Sequence, residues 1–431
     1  MTKLSARITP RYNHALLREI RTPLGMRAFY DSIAFCNRCG CCRQSCPSYR
    51  IFLQEPFSPR GRNQFVRLIM EGKLNLSATD KQIRRITDSC SLCGKCSASC
   101  AGQIPTAEHI LQIRRALNQR VLPFTLHYLM RMHRKSPKLF KFILKIGMTA
   151  RNVGLIKLLR ALPLLPAWIK HADDILPRKI SLLSTALNKE GNLSQETKIY
   201  SLIYLPSFEV SFFAPQTALD ILRRLKGKHT PFVWQETPSG LFSYVYENDV
   251  RLARMQVRRL IKRHAHTANG RLPLLTDSID VYLFLKNAAQ FFPAGSAAQK
   301  RAEVFADSVR FITDYFPPKK QKLSAPVMLD TSALLWRPHA IFDKTSKILI
   351  DVFGKNFVEC EYTGLSIATG GYPFINTPLA LEMGLLCVRR YAQGQIDNVV
   401  TLSVLTQLEM TFLLSKFYPH AKPHYLMQLA E

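Results

Sequence analysis

The sequence is poor in negative charge: 30 Asp and Glu stand against 60 Lys and Arg, a formal net charge of +30 over 431 residues. It also lacks the marks of most familiar chemistries. No G-x-G-x-x-G follows a strand-like run and no G-x-x-x-x-G-K-[ST] loop occurs, which removes the usual dinucleotide and phosphate cradles. Neither H-E-x-x-H nor G-x-S-x-G is present. The closest histidine pair, His264 and His266, sits at the basic end of an expected helix and reads as structural or solvated. No apolar stretch reaches 18 residues without a charge, so no membrane-crossing helix is expected. The basic first 21 residues lack the apolar centre of a secretory signal. These absences place the chain in the cytoplasm, with any substrate chemistry carried out elsewhere.

Cysteine is scarce outside one stretch, because nine of the eleven lie between Cys36 and Cys100. There they form two runs of the pattern C-x2-C-x2-C-x3-C: Cys36, Cys39, Cys42 and Cys46, then Cys90, Cys93, Cys96 and Cys100. This spacing resembles that of bacterial ferredoxins, where three thiolates of a run grip one 4Fe-4S cubane and the fourth reaches across to the other. It predicts one cluster on Cys36, Cys39, Cys42 and Cys100, and a second on Cys90, Cys93, Cys96 and Cys46. Zinc is the competing reading, since C-x2-C pairs also build tetrahedral sites. Zinc knuckles, however, use two pairs across a loop, whereas each run here has a third and fourth cysteine, and Pro47 follows the first run. Cys41 lies outside the pattern and is expected to pack near a cluster without holding iron. Thiols kept for clusters imply a reducing compartment.

The positive charge is concentrated near these cysteines. Residues 1–195 hold 33 Lys and Arg against 10 Asp and Glu, while residues 196–431 hold 27 against 20. Part of the excess offsets anionic clusters, and the rest must face something acidic. No nucleic-acid motif occurs, so an anionic membrane surface or an acidic subunit is expected instead. In residues 121–195, Arg134, Lys138, Lys141 and Lys145 recur at helical spacing and define a basic stripe, beside Leu139, Phe140, Phe142, Ile143, Leu144 and Ile146. Such a helix lies on a membrane or is simply wet on one side. The first case gives peripheral attachment to the inner face of the membrane.

The patterning predicts an α+α/β chain: an N-terminal segment (1–35), a helical two-cluster ferredoxin domain (36–120), a basic helical linker (121–195), and two α/β modules with parallel sheets (196–325 and 326–431). Helices are expected near 59–69, 79–87 and 106–119. Strands are expected at 200–205, 231–234, 272–275, 326–329, 357–361 and 398–402, and helices at 215–225, 250–264, 342–352, 378–391 and 405–414. Strict alternation of strand and helix argues for parallel sheets with helices outside. Two similar cycles argue for a duplicated module.

Cys36-Asn37-Arg38-Cys39-Gly40, Cys46-Pro47-Ser48-Tyr49, Ser58-Pro59-Arg60-Gly61-Arg62 and Cys90-Ser91-Leu92-Cys93-Gly94-Lys95-Cys96 together resemble the iron-sulfur subunits of glycolate oxidase, lactate-utilisation complexes and anaerobic glycerol-3-phosphate dehydrogenase, relatives of heterodisulfide reductase subunits. The resemblance implies an electron-transfer subunit that takes electrons from a flavin-containing dehydrogenase subunit, acting on a 2-hydroxy acid such as glycolate or lactate, and delivers them to a quinone or other carrier. It also implies two C-terminal modules with Cys-Cys-Gly signatures. Here the sequence departs, with Leu205-Pro206-Ser207, Pro238-Ser239-Gly240, Asp330-Thr331-Ser332 and residues 366–371 in the corresponding places. Cys360 and Cys387, the only cysteines left in that half, read as small buried apolar residues. A heterodisulfide-reductase-like catalytic subunit, and a structural or assembly protein with non-redox clusters, remain as alternatives.

Overall fold

The computed structural model describes residues 19–22, 25–74, 80–117, 121–160, 165–177, 182–189, 200–226, 228–234, 240–247, 249–267, 270–318, 323, 326–331, 340–358 and 371–429. The chain is mostly helical, with two small parallel sheets in its C-terminal half. The N-terminal segment carries an element absent from the expected pattern, a hairpin of β1 (Glu19–Thr22) and antiparallel β2 (Gly25–Ala28). Helix Phe29–Ala34 follows it.

Around the cysteines run helices Pro47–Phe52, Pro59–Met70, Lys81–Asp88 and Thr106–Ala116. Their starts are written locally. Ser58 caps the second by accepting from the Gly61 amide, with Pro59 in the first turn, and Asp80 caps the third through the Gln82 and Ile83 amides. Such side-chain acceptors satisfy amides that a helix start leaves without partners. The basic linker forms helices Phe124–Lys135, Pro137–Asn152, Leu155–Leu159, Ala167–Ile175 and Leu183–Lys189.

The first α/β module holds β3 (Leu202–Leu205), β4 (Pro231–Val233), β5 (Leu274–Thr276) and β6 (Val309–Phe311), all parallel in the order β4-β3-β5-β6. The second holds β7 (Val327–Asp330), β8 (Asn398–Thr401) and β9 (Lys422–Tyr425), again parallel and in that order. Expected and observed strands coincide within a few residues at β3, β4, β5, β7 and β8. The strand expected at 357–361 is reduced among the described residues to a bridge between Phe357 and Val327. Its remainder, like Cys360, lies outside the described residues.

The sheet of the second module is buried on both faces by different partners. Val327 and Leu329 of β7 and Val400 of β8 pack into the core of the first module. Met328 and Val399, pointing the opposite way on the pleat, pack into a core with Phe29, Val66 and Ile110 of the cysteine-bearing segment. Polar contacts hold the same junction: Lys95 Nζ donates to Thr331 Oγ1 (2.6 Å), and Tyr372 donates to the Asp88 carbonyl (3.0 Å).

Two readings of the linker change in three dimensions. Arg134 does not belong to a wet stripe. Its guanidinium makes a bidentate pair with Glu247 at 2.5 and 2.9 Å and is largely covered. The apolar side chains of helix Pro137–Asn152 do not all turn inward either. Phe140 alone is buried, while Leu139, Phe142 and Ile146 face solvent beside Lys138 and Lys145.

Because one sheet serves both cores, Met328→Ala is expected to lower stability by about 2–5 kcal/mol, the usual cost of truncating a buried methionine. Iron release and, in a Trp168→Phe, Trp336→Phe background, the fluorescence of Trp234, buried in the first module, should move to lower temperature together. A tryptophan transition left in place while iron is lost earlier would show that the two cores unfold separately.

Candidate metal centre

The two cysteine runs follow the same backbone path. In the first, Arg38 and Gly40 have φ of 55° and 88°; in the second, Leu92 and Gly94 have φ of 57° and 75°. The residues on either side of Cys39 and of Cys93 are thus both left-handed, a conformation that glycine adopts freely and other residues adopt at a cost. Repetition of that cost at matched positions points to a shared demand, the turning of successive thiols inward.

The runs cross. Burial pushes the Cys42 thiol up to about 12, and neighbouring Cys36, Cys100 and Cys46 add to it. Cys93 is raised to about 11, first by burial and then by Cys90 and Cys46. Cys96 is also raised, by burial and by Cys93, Cys46 and Cys90. Cys46 of the first run is therefore a neighbour of Cys93 and Cys96 of the second as well as of Cys42, and Cys100 of the second is a neighbour of Cys42. Among the described residues no three Cys, His, Asp or Glu side chains stand close enough to grip one ion, so a mononuclear site would require the thiols to close in.

Cys39 and Cys41 are exposed and neighbour each other; the Cys41 backbone and thiol lower Cys39, and Cys39 raises Cys41. Cys41 lies at the rim, beside Cys39 and near enough to Cys100 for that thiol to raise it as well.

The segment Ser58-Pro59-Arg60-Gly61-Arg62 frames this crossing. Arg60 pairs with Glu55 (2.6 and 3.0 Å) and donates to the Arg38 carbonyl (3.1 Å), which fixes the first run's turn to the helix start. Gly61 is required by contact: a Cβ there would meet the Glu55 carbonyl oxygen at 1.9 Å. Arg62 is buried, and its guanidinium donates to Cys46 Sγ (3.5 Å), Ser48 Oγ (2.9 Å), Ser89 Oγ (2.8 Å) and the Ile86 carbonyl (3.3 Å). Burial opposes its charge, but Cys90 and Cys46 outweigh that and raise its pKa. A second buried arginine, Arg114, donates to the carbonyls of Thr87 and Cys90, while its Nε and Nη1 have no protein partner.

Those two arginines supply a test of fit. A buried guanidinium without an anion is costly, and a cluster held by four thiolates is anionic. The donor set, eight sulfurs in crossed runs with cations sealed behind them, suits a 4Fe-4S group, and deprotonation of the raised thiols would accompany its binding.

On the other side Asn63 Nδ2 lies 3.8 Å from Cys36 Sγ and donates to Thr106 Oγ1 (3.0 Å). Its amide oxygen therefore faces His109 Nδ1 (2.9 Å) and must accept from it, which puts the imidazole proton on Nδ1. His109 Nε2 meets the Ser32 hydroxyl at 2.6 Å. Composition and spacing gave no sign of Asn63, His109, Arg62 or Arg114, although Arg62 lies inside a motif that the resemblance had marked.

Burial lowers His109 to about 3. The folded state then resists a proton that the unfolded chain accepts near pH 6.5, so stability contributed by neutral His109 is full above that pH and is lost as pH falls toward 3. Melting temperature is expected to drop between pH 7 and 5, with a slope of at most about 1.4 kcal/mol per pH unit from this group. His109→Gln should flatten that dependence; an unchanged profile would show that His109 does not carry it.

A family described as 4Fe-4S dicluster domain matches residues 32–104, a span that contains both runs, Arg62 and Asn63. Comparison with curated proteins and with solved structures gives no match. The cysteine-bearing segment is thus iron-sulfur binding and of the 4Fe-4S ferredoxin type.

Proposed function

We propose that the chain is the electron-transfer subunit of an oxidoreductase, with two 4Fe-4S clusters between a flavin-containing dehydrogenase subunit and a quinone or other carrier. The observation that carries this reading is the crossing of the runs, with Cys46 a neighbour of Cys93 and Cys96 while Cys100 is a neighbour of Cys42. It supports one ligand set of Cys36, Cys39, Cys42 and Cys100 and another of Cys90, Cys93, Cys96 and Cys46. When bound, the clusters supply one-electron relay sites, and the protein's own task is to hold, insulate and tune them. Arg62 holds Cys46 in place and adds positive charge that favours the reduced form. Exposed Cys39 and its neighbour Arg38 offer the rim where a partner approaches, whereas Cys93 and Cys46 are covered. The substrate class, a 2-hydroxy acid such as glycolate or lactate, rests on the resemblance alone.

Membrane attachment belongs to the same reading. Phe124, Tyr128, Leu139, Phe142, Ile146, Val153 and Leu158 are exposed along consecutive helices that also carry Lys138, Lys145 and Lys157. Exposed apolar side chains in that density mark an interaction surface, and the accompanying cations suit anionic headgroups, each contributing about 1 kcal/mol. No helix among the described residues is long and apolar enough to cross a membrane, so the contact would be peripheral.

Anaerobically purified protein should contain about eight iron and eight acid-labile sulfide, as two cubanes require. Arg62→Gln should lower a one-electron potential, by about 60 mV for each tenfold loss in preference for the reduced form. Stoichiometric zinc, or a potential indifferent to Arg62→Gln in a protein with full iron content, would sink the assignment.

Binding to acidic vesicles should weaken as salt rises, because charges in water are screened over about 8 Å at physiological ionic strength. Lys138→Glu with Lys145→Glu should abolish it, and Phe142→Ser should weaken it at every salt concentration. Vesicle binding unmoved by either change would assign the surface to a protein partner.

A further inference from the structure

Beneath the first linker helices lies a cavity of about 830 Å³, unconnected with any residue of the metal centre. Helix Phe124–Lys135 and the start of helix Pro137–Asn152 wall one side; Leu182 and Leu183, helix Phe208–Phe212 and helix Val250–His266 close the others. This volume falls within the range of small-molecule sites. The linker is fastened over it by a cluster of Phe140, Leu182 and Phe212, by His133 against Phe208 and Phe212, and by Glu247, which pairs with Arg134 and His127.

The lining divides by chemistry. Leu182, Leu183, Phe212, Leu252 and Leu260 make an apolar floor, and Arg131, Lys135, Lys141 and Arg259 bring positive charge to the walls and mouth. Among the described residues Asp249 is the one carboxylate in the lining, and it caps helix Val250–His266 through the Leu252 amide (2.9 Å). Ser211 adds an independent sign of a ligand. Its hydroxyl is buried at 6 % exposure on the cavity wall and has no hydrogen-bond partner. A buried hydroxyl left without a partner is unusual and costs about 1–3 kcal/mol. An occupant bearing an acceptor would satisfy it.

We infer that this cavity binds a single-chain amphiphilic anion, an acyl chain laid on the apolar floor with its carboxylate or phosphate group toward Arg131, Lys135, Lys141 and Arg259. Nucleotides fit the lining less well, because among the described residues no glycine lines it to cradle phosphates, and its buried side chains are mainly aliphatic. The proposal is independent of the electron-transfer reading. It differs also from vesicle docking, which uses the outward faces of the same helices.

The test uses the full-length, iron-loaded protein and a fluorescent polyene fatty acid below its micelle concentration, with its methyl ester as the uncharged control. We expect saturable one-to-one binding of the acid and at least tenfold weaker binding of the ester. Lys141→Gln with Arg259→Gln should weaken the acid about tenfold and leave the ester unchanged. Ser211→Leu should remove the hydroxyl and push a branched side chain into the cavity wall, weakening binding of both; should that variant misfold, the Lys141/Arg259 pair of substitutions still decides. Lysophosphatidylglycerol, a single-chain lipid with a phosphate headgroup, distinguishes a lipid from a free acid. Its displacement of the bound polyene acid, weakened by Lys141→Gln with Arg259→Gln but kept in Lys138→Glu, would assign the occupant to the lipid source. Equal affinity for acid and ester, non-saturable uptake, or binding unchanged in the charge and cavity variants would overturn the proposal.

Discussion

Gathering eight thiols in a small helical segment, most of them partly or fully covered, sets the terms for the whole structure. As thiols they are neutral and tolerable, and burial raises Cys42, Cys93 and Cys96 to keep them so. As ligands they are anionic, and only nearby positive charge makes that state affordable in a medium of low dielectric. Iron supplies most of the charge, while Arg62 and Arg114 supply the part that the protein owns. Both guanidinium groups are sealed, so neither is screened by salt. The +30 excess is therefore not one property. A little of it is structural and buried, and most of it faces solvent.

The constraint extends outward through backbone geometry. Arg60 ties the first run's turn to Glu55, Gly61 lets the helix press on the Glu55 carbonyl, and Arg62 thereby reaches Cys46. Three consecutive residues thus do three different jobs at one helix start, and a change of any of them would be felt at the cysteines. Lys95, between Cys93 and Cys96, continues the chain of contacts to Thr331 at the end of β7. Burial, against the pull of Asp330 and Cys93, lowers this lysine to about 8. The second module is thereby joined to the cysteine segment by a polar bond as well as by the shared core.

Much of this was legible in the sequence where the determining interactions are local. Cysteine spacing, Ser58-Pro59, and apolar runs such as 202–205 and 398–401 act over a few residues, and the structure follows them. Strands β6 and β9 escaped the pattern for physical reasons. Val309–Phe311 is three residues long, and Lys422–Tyr425 is a polar edge strand containing Pro423, a residue that edges tolerate and interiors do not. Arg134 was misread because helical periodicity sees only its own helix, while Glu247, 113 residues away, decides where that side chain goes. Buried His109, Arg62 and Arg114 look in sequence like any wet basic residue. Their burial is a property of the folded neighbourhood and has no local signature.

The C-terminal half shows what occupies the sheet ends instead of thiols. At Ser207, where the resemblance places a cysteine, the side chain caps helix Phe208–Phe212 and the amide donates to Asp277 Oδ1 (2.9 Å). Tyr204 donates to Asp277 Oδ2 (2.5 Å), and Tyr425 donates to the Asp277 carbonyl (2.6 Å). Burial raises Asp277 to about 7 against the opposing Tyr204 bond, with Glu209 nearby raising it further. A carboxyl that readily stays protonated near neutral pH, served by hydroxyl and amide donors, is a hydrogen-bonding joint. Soft iron favours thiolate over such hard oxygen donors, and the Asp277 carboxyl is already engaged by the Ser207 amide and the Tyr204 hydroxyl. In this half the polar groups at these strand ends therefore join the two modules, since Tyr425 belongs to the second and Asp277 to the first.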